Sequence, residues 1–133
     1  MRVSALTLLV VFAGCAALTP RDLDAPVPTL TTAEDLVTYL GRRGVILHPD
    51  RLVTSPFIDA TGHQYRIDGG GTLQVFEFAD PAAAEAGAAD YVRATAGGEP
   101  VRLFQRGTLV AAHYGGATTA VSALTDALGP AVY

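Results

Sequence analysis

Two hairpin-forming stretches decide most of what this chain can become. Each folds back on a glycine turn, and each is followed by an alanine-rich run. In the first, residues 63–67 face residues 72–78 across Gly69-Gly70-Gly71. Tyr65 and Ile67 alternate with Gln64 and Arg66, and beyond the glycines Leu73 and Val75 alternate with Gln74. A period of two places successive side chains on opposite faces, so the pattern predicts a β-hairpin. The glycines supply the positive φ that a tight hairpin turn requires. The second hairpin is predicted over residues 101–105 and 108–114, around Arg106-Gly107.

Both hairpins run into helices. Asp80-Pro81 is a cap followed by proline at the first helical position, and the helix is predicted to end near Ala96, before Gly97-Gly98. A last helix is predicted over residues 118–128, with Val121, Leu124 and Leu128 as its stripe and Gly129-Pro130 as its stop. Upstream, Thr31 and Glu34 have capping-box spacing, and a first helix runs to about Arg43 with Leu36, Val37 and Leu40 on one face. A short strand over residues 45–47, a turn at His48-Pro49-Asp50, a strand over residues 52–58 and a turn at residues 59–62 complete the expectation. Pro56 demotes that strand to an edge or a bulge. The order is α-β-(ββα)-(ββα). It implies an α+β domain over residues 32–133: an antiparallel four- or five-stranded sheet with two or three helices packed mainly on one face.

The chain begins differently. Met1-Arg2 precedes an apolar run over residues 3–12, interrupted only by Ser4 and Thr7. Ten helical residues rise about 15 Å, half of a hydrocarbon core of about 30 Å, so the run suits a signal peptide better than a span. It ends in Phe12-Ala13-Gly14-Cys15, which resembles the lipobox of bacterial lipoprotein signal peptides. There the small residues suit the protease pocket and the cysteine thiol receives the lipid. The resemblance implies cleavage between Gly14 and Cys15, leaving residues 1–14 as the signal and Cys15 lipidated. Phe12 departs from the usual leucine. Ala16 after the cysteine resembles the default route to the outer membrane, facing the periplasm, in a Gram-negative cell. Cys15-Ala16-Ala17 also approximates a small-x-small site that would release a soluble protein, and an uncleaved short anchor is the third reading. Residues 15–31 carry Pro20, Pro26 and Pro28 and read as a flexible tether, with a reach of about 50 Å.

Composition narrows the function. The net charge is −4, which argues against a nucleic-acid surface. The single cysteine leaves no intramolecular disulfide and no cysteine-rich zinc site. His48, His63 and His113 lack metal-ligand spacing, so no metal or other cofactor is expected. Ser55 and Ser122 lie outside any nucleophile-elbow motif. Two features invite a binding reading. Gly115, Gly116 and Thr118 stand at the start of the last helix, where free N–H groups can hold an anion. Phe76, Phe78, Phe104 and Tyr114 form an interaction face if helices leave one side of the sheet open. The alternative is a second core closed by the first helix.

The expected protein is therefore a lipid-anchored cell-envelope protein. Its domain binds or scaffolds without catalysis, held to the membrane by acyl chains on Cys15. An inhibitor or accessory subunit of an envelope complex is one alternative. A small hydrolase or metal-dependent enzyme using His63 or His113 is the other, and it requires one of them in a pocket beside a carboxylate or serine.

Overall fold

The computed structural model describes residues 29–56, 58–116 and 118–133. The residues expected to form the signal peptide, the lipobox with Cys15 and the tether up to residue 28 lie outside the described residues. The chain runs α1 (Ala33–Arg42), β1 (Leu47–Ser55), β2 (Ile58–Ile67), β3 (Thr72–Glu77), α2 (Pro81–Thr95), β4 (Val101–Arg106), β5 (Leu109–Tyr114) and α3 (Thr118–Leu128). The α+β class and the element order expected from the sequence are those observed. The five strands form one antiparallel sheet in the order β1-β2-β3-β5-β4. Strand β5 therefore inserts between β3 and β4, and α2 carries the chain across it.

Side-chain parity sorts the core into two layers. Tyr65, Ile67, Leu73, Val75, Phe104, Leu109 and Ala111 face α1 and α3. Ile58, Phe76, Leu103, Val110 and Ala112 face α2, which contributes Ala84, Ala88 and Tyr91. Two helices thus share one face and the third lies on the other. Phe76 and Phe104 are both 0% exposed and sit in different layers. The expected interaction face of Phe76, Phe78, Phe104 and Tyr114 is therefore corrected: α2, not α1, closes a second core over Phe76. Small residues let it come close. A Cβ on Gly87 would lie 2.3 Å from Phe78 Cζ, so the helix accepts a glycine where the Phe78 ring packs.

The first third of the domain departs from the sequence reading in detail. The cap of α1 is Thr32, not Thr31, and Asp35 completes the capping box, with Asp35 N–H donating to Thr32 Oγ1 at 3.1 Å. Hydrogen bonds from the Thr31 and Thr32 backbone and the Thr32 side chain hold the Asp35 carboxyl below its usual pKa. Leu30, assigned to the tether, packs against the core, so the domain starts before residue 32. His48-Pro49-Asp50 is not a turn: β1 runs through it, with a bulge at Asp50 where the register steps from Pro49↔Tyr65 to Arg51↔Gln64. Proline is tolerated because β1 is an edge strand and its N–H is not needed by the sheet. Residues 59–62 likewise belong to β2. Gly62 there marks close packing: a Cβ would meet Phe76 Cε1 at 2.6 Å and the Val53 carbonyl oxygen at 2.9 Å.

The other edge is partly covered. Val132 N–H donates to the Leu103 carbonyl at 2.8 Å, and Leu103 N–H donates to the Tyr133 carbonyl at 2.9 Å. Among the described residues, no helix is long and apolar enough to cross a membrane.

Candidate functional site

Helix α2 packs against β4, β5 and the Phe76 region. Toward the far end of the same face, β1, β2 and β3 turn polar. Arg51, Gln64, Thr72, Gln74, Tyr114 and Glu99 line a groove of about 580 Å³ there, floored at one end by Gly71 and Gly115. Those two glycines have φ of 99° and 103°, and a Cβ on Gly115 would stand 2.8 Å from Gly71 Cα. Only residues without side chains let the start of β3 and the end of β5 approach so closely.

The groove wall is a continuous hydrogen-bonded chain. Gln64 Nε2 lies 2.7 Å from Asp50 Oδ2, and Gln74 Nε2 lies 2.9 Å from Gln64 Oε1. The Tyr91 hydroxyl lies 2.9 Å from Gln74 Oε1 and also contacts the Tyr114 hydroxyl. Each placement has a structural cause. The β1 bulge aims Asp50 at Gln64. Gln64 and Gln74 are direct cross-strand partners in the β2–β3 ladder. Tyr91 is fixed by its ring against Phe76, with centroids 5.6 Å apart and planes tilted by 59°.

Donor chemistry gives this chain one direction. An ionised carboxylate only accepts, so the Gln64 atom facing Asp50 is its amide nitrogen. Gln64 Oε1 then faces Gln74, whose nitrogen must donate to it. Gln74 Oε1 in turn accepts from the Tyr91 hydroxyl. Tyr91 has one proton and has given it away, so the Tyr114 hydroxyl donates to Tyr91. The Tyr114 oxygen therefore meets the groove as an acceptor, while Gln64 and Gln74 each keep a second amide N–H. Burial pushes the Tyr91 hydroxyl pKa far above its usual value, so Tyr91 stays protonated. At the mouth, the exposed Arg51 and Glu99 bring one charge of each sign to the lining.

The residues singled out from sequence are scattered. Tyr114 and Gly115 line this groove. Gly116 and Thr118 line a different cavity of about 330 Å³, beside Asp68, whose negative charge works against an anion there. Ala117 lies outside the described residues. His63 and His113 both point to the α1/α3 face, with β3 between their strands. His113 is 1% exposed, and among the described residues neither of its ring nitrogens has a hydrogen-bond partner. Burial, and secondarily Arg102, lower its pKa. That is not the pocket beside a carboxylate or serine that a His113-based hydrolase requires. Among the described residues, no three His, Cys, Asp or Glu side chains converge as a metal site would need.

Asp50, Arg51, Gln64, Gln74, Tyr91 and Glu99 were not singled out from sequence. One signal was present. A hairpin centred on Gly69 pairs residue 64 with residue 74, which sets two glutamines side by side in the row that also holds Phe76.

The fold and groove define a class: an antiparallel sheet between two helical layers, with one polar groove where the α2 layer ends. No protein-family model matches the chain, and no curated protein or solved structure matches it.

Proposed function

We propose that this is a lipid-anchored cell-envelope protein whose domain binds a polar ligand in the groove between Arg51 and Tyr114, without catalysis. The observation that carries the binding reading is the one-directional chain from Tyr114 to Asp50. Its members hold one another in place before any ligand arrives, which lowers the ordering cost of binding. Elsewhere on the sheet the same rows are filled by apolar packing. The anchor rests on Phe12-Ala13-Gly14-Cys15 and on the position of the chain's one cysteine. Two acyl chains hold a protein stably on a bilayer, since each buried CH₂ contributes about 0.8 kcal/mol.

Two measurements test the two halves. Intact mass of the membrane-extracted protein is expected to start at Cys15 with added acyl chains, and Cys15→Ser is expected to lose them. An unlipidated chain starting beyond Ala17 would remove the anchor. For the groove, the isotope-labelled full chain in detergent is titrated with a soluble extract of the cell envelope. The side-chain amide resonances of Gln64 and Gln74 are expected to move. Unmoved groove resonances at saturating extract would remove the binding reading.

A further inference from the structure

We infer that the groove recognises a neutral carbohydrate, with the Tyr114 oxygen accepting a hydrogen bond from a sugar hydroxyl and the free amide N–H groups of Gln64 and Gln74 donating to neighbouring sugar oxygens. This rests on the groove being a binding site, and it names what that site takes.

The lining decides the class. Its groups alternate in what they offer. The Tyr114 oxygen and the Glu99 carboxylate accept. The spare Gln64 and Gln74 N–H groups and the Arg51 guanidinium donate, and the Thr72 hydroxyl does either. Each hydroxyl of a sugar also donates and accepts, and several stand side by side along the ring. An array of mixed donors and acceptors therefore fits it without leaving a polar group unpaired. An anion fits poorly, because the lining carries the Glu99 carboxylate as well as Arg51 and the Tyr114 proton is committed to Tyr91. An extended peptide fits poorly as well. The groove lies over a sheet face, where the β2 and β3 backbone groups are already paired with neighbouring strands, so no ladder is free for an added strand. Few large apolar side chains line the groove, which argues against a lipid tail.

Two groups set the specificity. Tyr114 touches the ligand. Asp50 is a positioning residue: it lies at the far end of the chain, and its charge fixes which way every amide points.

The test uses the full chain in detergent and follows the Gln64 and Gln74 side-chain resonances. The probes are maltotetraose, which offers hydroxyls alone, chitotetraose, which adds acetamido groups, tetraalanine, and inorganic phosphate. A saturable shift with at least one of the sugars, and none with tetraalanine or phosphate, is expected. Tyr114→Phe removes the accepting oxygen and is expected to weaken sugar binding about tenfold, the worth of one well-placed hydrogen bond. Thr72→Val, at a half-exposed strand position, is expected to weaken it about threefold and serves if Tyr114→Phe fails to fold. Asp50→Asn lets the chain of amides run either way. It is expected to admit a fully O-methylated maltotetraose, which has acceptors but no hydroxyl donors and which the wild type rejects. A merely structural role for Asp50 would leave that rejection in place. If envelope extract moves the groove resonances but neither sugar does, or if tetraalanine or phosphate moves them instead, the carbohydrate assignment is wrong and the groove remains a binding site. If neither extract nor sugars move them, both readings fail.

Discussion

The two faces of the sheet handle polar groups in opposite ways. On the α1/α3 face the strand rows are filled by Leu73, Val75, Phe104, Leu109 and Ala111 beneath two helices. The most deeply buried polar atoms there, the His113 ring nitrogens and the Tyr39 hydroxyl, lack hydrogen-bond partners among the described residues, while Glu77 and Arg106 toward the rim bond the Ala33 N–H and the Ala127 carbonyl. On the α2 face the apolar rows stop near Phe76. Beyond them, Gln64, Gln74, Tyr91 and Tyr114 bond one another in a chain that ends on Asp50. One face is built to close. The other carries its polar groups to a groove and keeps them satisfied on the way. A buried polar group without a partner costs stability, so a linked row beside solvent has a different meaning from an isolated imidazole in a core.

The comparison breaks most severely at the closed face. Phe104→Ala removes a fully buried ring and is expected to cost about 3–5 kcal/mol in urea denaturation. A loss below about 1 kcal/mol, far under the usual range for buried phenylalanine, would show that the α1/α3 layer is loosely packed. Next is Gly62→Ala, which sets a methyl against the Phe76 ring and the Val53 carbonyl. The expected loss is about 1–3 kcal/mol, because a backbone oxygen cannot swing aside.

His113 sharpens the contrast. Its folded-state pKa lies below the ordinary 6.5, because burial disfavours the imidazolium. The unfolded chain therefore takes up the proton first as pH falls. The stability tied to a neutral His113 is present above pH 6.5 and is lost as pH drops through that value toward the folded pKa. His113→Leu is expected to remove that acid-side slope in a series of melts. It should also raise stability at neutral pH by about 1 kcal/mol, by taking an unpaired polar ring out of the core. An unchanged slope would show that another group titrates there. The smallest effect falls on the open face. Tyr91→Phe leaves the Phe76 contact in place and deletes two hydrogen bonds, for an expected loss of about 1 kcal/mol or less. Its clearer signature is a shifted Gln74 amide resonance, since Gln74 Oε1 loses its donor. An unmoved resonance would mean that the chain is not continuous at that point.

Much of the fold was legible in the sequence because its signals are local. Glycine turns, period-two rows, Asp80-Pro81 and Gly129-Pro130 need no distant partner to act, and α2, α3 and the last three strands fall within one or two residues of expectation. The misreadings near the start have a shared cause. Pro49, Asp59 and Gly62 resemble turn residues locally, yet an edge strand, a bulge and the Phe76 ring make them strand residues. Local chemistry also suggested Thr31 and Glu34 as the capping pair, where Thr32 and Asp35 serve.

The sequence by itself determined the class, the order of elements and the alternation that sorts side chains between two faces. What those faces meet was decided only in three dimensions. Parity shows that Phe76 and Gln74 share a side. It does not show that β5 inserts between β3 and β4, that α2 crosses over Phe76, or that its cover ends before Gln64. Alternation is a property of neighbouring residues, whereas cover depends on where a helix fifteen residues long comes to rest. The groove lies where that cover ends.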